Sequence, residues 1–65
     1  MTFDQFLIES MNTPTNLRRG QFAVNLLSQV RYDLYELLTE TGPGVDPFYN
    51  DTLIPSFLVW VGENW

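Results

Sequence analysis

An all-α fold is predicted by three features of this sequence. An apolar pattern with a 3.6-residue period runs from Leu17 to Thr41, a capping box opens the chain at Thr2–Gln5, and an apolar C-terminal stretch confines its proline to the first turn. The expected architecture is one compact three-helix domain over residues 1–65, with helices at about 3–11, 14–41 and 52–62 and the central one longest.

In the first element, Thr2 accepts from a backbone N–H and Gln5 reaches back, with Asp4 at the positive end of the helix dipole. Phe3, Phe6, Leu7 and Met11 form an apolar stripe that Ile8 widens. Asn12 to Asn16 is a polar connector. Thr13 followed by Pro14 at the first helical position is the better-formed start for the next helix, with Thr15 as the alternative.

The long helix rests on Ala23, Leu26, Leu27, Val30, Leu34, Leu37 and Leu38, which share one broad face. Leu26-Leu27 and Leu37-Leu38 break the alternation a strand would need. Gly20 costs about 1 kcal/mol against alanine, so it marks either a helix start or a close approach to the backbone. Thr41-Gly42-Pro43-Gly44 stops the helix, with a glycine able to turn left-handed and a proline that cannot continue it.

Asp46-Pro47 initiates a turn in which Asn50 or Asp51 can cap the next element, and Phe48 anchors it under the helices. Leu53 to Val61 is apolar on several sides; Ile54, Phe57, Leu58 and Val61 share a face that Leu53 and Trp60 flank. A strand over Phe57–Val61 is the competing reading, but it would have no partner strand in the chain. Trp65 is expected to pack back on the body.

Composition narrows the function classes. A chain this short buries only about 60% of its unfolded surface. It has no cysteine for a disulfide, yet it is 45% apolar with five Phe, three Tyr and two Trp. Self-association into a homo-oligomer, a second copy completing the core, is one resolution. The formal net charge of −5, from eight acids and three arginines, has the wrong sign for nucleic acid and for anionic lipid. There is no signal-peptide pattern and no apolar run of membrane-spanning length, so a cytoplasmic protein is expected.

Histidine and cysteine are absent, which removes the commonest general base and the thiol nucleophiles. Carboxylate chemistry stays formally open, but the acids are spread along the chain, so no enzyme and no cofactor are expected. The Asp46–Asp51 loop lacks the alternating ligands, central glycine and closing glutamate of a calcium loop. Arg18 and Arg19 sit at the dipole's wrong end; they either pair with neighbouring carboxylates or join free N–H groups in an anion site. Arg18, Gln21, Asn25 and Gln29 make a polar stripe that is an ordinary solvated face or a reader of polar edges. Tyr32, Tyr49 and Trp60, with Tyr35 and Trp65, are residue types that dominate interfaces and also fill cores. The candidate binding set is therefore Arg18, Arg19, Gln21, Asn25, Gln29, Tyr32, Tyr49 and Trp60, with no catalytic or metal residues.

At Arg19-Gly20-Gln21, Asn25-Leu26 and Arg31, then Asp46-Pro47-Phe48-Tyr49-Asn50-Asp51, the chain resembles short uncharacterised proteins of bacteriophages and prophages. Their pattern is an Arg-Gly-Gln start, an Asn-x-Leu on the same helix, and an Asp-Pro-Phe-Tyr-x-Asp turn before an aromatic C-terminal segment. The resemblance covers roughly residues 18–62. Many of those proteins carry proline after an arginine where this chain has Tyr32, a departure expected to leave the helix uninterrupted. The resemblance implies a phage-encoded protein acting in the host cytoplasm, where host-factor binding or counter-defence is the expected role.

The leading expectation is a non-enzymatic protein that engages a host or phage protein through an acidic, aromatic-bearing surface. The alternatives are an oligomer that sequesters an anionic nucleotide and a structural component of a virion.

Overall fold

Thr2 sets the first helix. Its hydroxyl accepts from the Gln5 N–H at 3.1 Å, and the Gln5 side chain accepts from the Thr2 N–H at 2.8 Å. Helix α1 spans Phe3–Ser10 in the computed structural model, which describes all 65 residues. Phe6 and Ser10 are buried, with Phe3 and Leu7 half-buried beside them. Ile8 and Met11, expected on the same stripe, face solvent. At 100° per residue they lie about 200° and 140° from Phe6, whereas Ser10 lies only about 40° away.

The second helix does not begin at Pro14. The Thr13 hydroxyl donates to the Ser10 carbonyl, so it finishes α1 instead of opening the next element. Helix α2 spans Arg19–Val30, with Arg18 as its extended N-cap. The chain then leaves helical geometry at Arg31 (φ −142°, ψ 71°), and α3 spans Tyr32–Thr41. The expected three helices are therefore four, because the long central one is two.

Size gives the reason for the break. A straight helix over 14–41 would be about 42 Å long at 1.5 Å per residue, against a longest molecular extent of 30 Å. The break costs few backbone bonds. The Arg31 N–H still donates to the Leu27 carbonyl, and the Arg31 carbonyl accepts from Leu34 and Tyr35. Tyr32 occupies the first position of α3, so the interruption stands here without a proline.

Gly42 ends α3 at φ 57°, the left-handed stop read from the sequence. The turn after it leads through a short 3-10 turn, Asp51–Leu53, into α4, Ile54–Asn64, with Pro55 in the first turn. Helix, not strand, is the form this apolar segment takes. Ile54, Phe57 and Val61 point inward at spacings of three and four.

Phe6, Ala23, Val24, Leu27, Leu34, Leu38, Phe57 and Val61 make one core drawn from all four helices. The radius of gyration is 10.6 Å, against about 10.7 Å for a compact domain of this length. Ile8, Met11, Tyr32, Tyr49 and Val59 remain exposed outside this core.

Candidate functional site

The turn at 46–51 and the start of α2 are built as one unit. Asp51 Oδ1 accepts from the Gly20 N–H at 3.0 Å, supplying from 31 positions away the cap that α2 lacks locally. Arg18 donates to the Phe48 carbonyl and stands 4.0 Å from Asp51. A Cβ on Gly20 would overlap the Pro47 carbonyl oxygen and come within 2.8 Å of Asp51 Oδ1. Both readings of Gly20 hold: it lies in the first turn of α2, and another backbone approaches it closely.

The other polar groups of the turn are also engaged. Asp46 Oδ1 accepts from the Phe48 N–H at 2.9 Å, and Asn50 Oδ1 accepts from the Thr52 N–H at 3.0 Å and its hydroxyl at 2.6 Å. The anion site considered at Arg18 is thus filled by the chain's own carbonyl and carboxylate. Arg19 remains exposed and joins no ion pair.

Arg31 holds the joint between α2 and α3. Its Nε and Nη2 donate to the two Asp33 carboxylate oxygens, each at 2.9 Å, and its Nη1 donates to the Trp65 carbonyl at 2.7 Å. The guanidinium carbon lies 4.9 Å from the Trp65 ring centroid. Hydrogen bonding to Arg31, aided by its charge, holds the Asp33 carboxyl below the usual carboxylate range, and the same bonds raise the Arg31 guanidinium. Trp65 in turn packs on Phe3 and Phe6, with ring centroids 5.9 and 5.5 Å away.

The candidate residues do not converge on one site. Arg18 is tied to the Phe48 carbonyl, half-buried Gln21 and Asn25 and exposed Gln29 run along α2, and Tyr32 stands beside Tyr35 at the joint. Tyr49 projects from the turn at 85% exposure. Trp60 lines an apolar cavity on α4.

The outer face of α4 carries the apolar surface. A cavity of 430 Å³ lies between Val45, Pro55, Ser56, Val59, Trp60 and Glu63, and one of 410 Å³ between Phe3, Leu58, Val59, Gly62 and Glu63. Val59, 61% exposed, is the ridge between them. No charged residue occurs from Leu53 to Gly62. Among the sequence candidates only Trp60 marks this face; Pro55, Val59 and Gly62 are not singled out by residue type, although the same apolar run carries them.

A third cavity, of 250 Å³, lies between α2, α3 and the 46–51 turn, lined by Val24, Tyr35, Thr39, Asp46, Phe48 and Tyr49. No helix of the chain is long and apolar enough to cross a membrane. No protein-family model, curated protein or solved structure matches the chain.

Proposed function

We propose that this chain is a small non-enzymatic binding protein, phage-encoded, that engages a host or phage protein through an acidic, aromatic-bearing surface. One observation carries the reading: the outer face of α4 presents two adjoining apolar cavities around an exposed Val59. An apolar depression beside an exposed apolar side chain is a place where a partner's side chain can be received. Trp60 beside it is the residue type most often found at the energetic centre of one.

Charge indicates the partner's chemistry. Asp4, Glu9, Glu36, Glu40, Asp46 and Glu63 join no ion pair, so a partner with an apolar ridge and basic rim is favoured, and its association rate falls with salt. The phage setting, with host takeover or counter-defence as the role, is supported by the resemblance at Arg19-Gly20-Gln21 and Asp46–Asp51. The nucleotide-sequestering alternative draws less support, because Arg18 and the Gly20 N–H already have partners within the chain.

The test is light scattering at two protein and two salt concentrations, followed by affinity capture from host lysate with the natural chain and Val59→Glu. Val59 is exposed, so the substitution leaves stability within about 0.5 kcal/mol. The proposal expects a captured protein whose binding Val59→Glu abolishes; a dimer that Val59→Glu dissociates would show instead that the face is self-directed. A monomer that captures nothing, or binding that survives the substitution, sinks it.

A further inference from the structure

The 250 Å³ cavity beside the 46–51 turn has a lining unlike the two on α4. Three of its six residues are aromatic (Tyr35, Phe48 and Tyr49), one is a carboxylate (Asp46), and none is basic. Phe48 and Tyr49 pack edge to face, with centroids 4.8 Å apart and ring planes at 74°. Tyr35 comes from α3.

From these walls we infer that the cavity is an aromatic cage for an organic monocation of the alkylammonium type. The faces of aromatic rings carry negative potential and attract a cation whose charge is spread over alkyl groups. Asp46 supplies the formal counter-charge. Its Oδ1 is engaged by the Phe48 N–H, which fixes the side chain, while Oδ2 has no donor within the chain. The Thr39 hydroxyl hydrogen is spent on backbone carbonyls of its own helix, those of Tyr35 and Glu36. The nearest guanidinium, Arg18, is tied to the Phe48 carbonyl and Asp51. The cavity is therefore lined by aromatic rings and a carboxylate, with no cation to receive an anion.

Size selects within the class. The volume corresponds to about eight waters at ~30 Å³ each, and it lies below the roughly 300–1,000 Å³ of cofactor-sized pockets. A choline-sized headgroup or the end of a trimethylated lysine side chain is of a size to sit in it. Tyr49, 85% exposed, is the wall that such a cation would cover.

The inference deepens the protein-binding reading, on which it rests only for the source of the cation. Val45 lines the α4 cavity and Asp46, the next residue, lines the cage. A partner lying along α4 can therefore reach the cage with one basic side chain.

Choline chloride titrated into the isotope-labelled chain, followed by amide chemical shifts, tests the cage directly. Saturable shifts are expected at Tyr35, Thr39, Asp46, Phe48 and Tyr49. Neohexyl alcohol, which carries a quaternary carbon in place of the ammonium nitrogen, is expected to leave them unmoved. Tyr49→Ala removes one exposed wall and weakens choline about two- to five-fold. Asp46→Asn keeps the acceptor for Phe48 but not the charge, and weakens it up to about five-fold.

An acetylated tripeptide with a central trimethyllysine separates the sources. Tighter binding than choline assigns the cage to a partner's side chain, whereas tighter choline assigns it to a free metabolite. Val59→Glu, outside the cage, leaves choline binding unchanged, so loss of the protein contact and loss of the cage read out separately. Equal shifts from neohexyl alcohol, or choline binding indifferent to Tyr49→Ala, overturn the inference.

Discussion

Replacing Gly20 by alanine puts helix propensity and tertiary contact in direct opposition. Alanine removes glycine's penalty in a helix, at most about 1 kcal/mol at this N-terminal position, and restricts the unfolded chain. The added methyl, however, would sit 2.8 Å from Asp51 Oδ1 and 3.0 Å from the Pro47 carbonyl carbon, closer still to its oxygen. Pro47 is buried and its carbonyl is backbone, so the whole turn must lift. Lifting breaks the Gly20–Asp51 bond, a charge-assisted contact of about 1.5–3 kcal/mol. It also uncovers part of Phe48, at roughly 1 kcal/mol for ~40 Å² of apolar surface. The net loss is about 2–3 kcal/mol. At 4–8 °C per kcal/mol for a domain of this size, the melting temperature falls by roughly 10–20 °C. Thermal melts followed by circular dichroism measure this directly. An alanine variant that melts at or above the natural chain would refute the close approach, because propensity alone predicts stabilisation.

Two further outcomes concern the Arg31 joint. Trp65→Ala removes the ring contacts with Phe3 and Phe6, about 0.5–1.5 kcal/mol each, and the apolar area behind them. Urea titration is expected to show a loss of about 2–3 kcal/mol, and a loss under 0.5 kcal/mol would mean the indole is idle. Asp33→Asn tests the joint by pH. The Asp33 carboxyl is held low in the folded chain, so its stabilisation is present in full above the unfolded value of about 3.9 and fades as pH falls through the lower folded value. The gap in melting temperature between the natural chain and Asp33→Asn should therefore be constant from about pH 5 to 7 and close below about pH 4. A gap that persists in acid contradicts the pairing.

Local chemistry makes some of this fold legible from sequence, and its distant contacts hide the rest. The Thr2–Gln5 capping box, the Gly42 stop and the inward stripe of α4 all depend on residues within a turn or two of each other, and each is readable. The start of α2 is not, because its cap, Asp51, comes from another part of the chain and Thr13 serves α1 instead. The break at Arg31 is hidden for a similar reason. Leu27, Leu34 and Leu38 keep helical spacing across it, no glycine or proline marks it, and one of the bonds that hold it reaches Trp65. Of the candidate surface, residue type alone marks Tyr49 and Trp60, but which cavity each lines depends on how the 43–50 segment is laid down.

Both ends of α2 are completed by the last third of the chain: Asp51 at Gly20 and Trp65, through Arg31, at the C-terminus. Neither end can be finished while the chain is still short of those residues. Isolated helices of this length are marginal in water, so α2 gains its stability only when the C-terminal segment docks. One cooperative transition is therefore expected to serve the whole molecule, with no persistent N-terminal half. A break in either long-range tie would be felt at every helix at once.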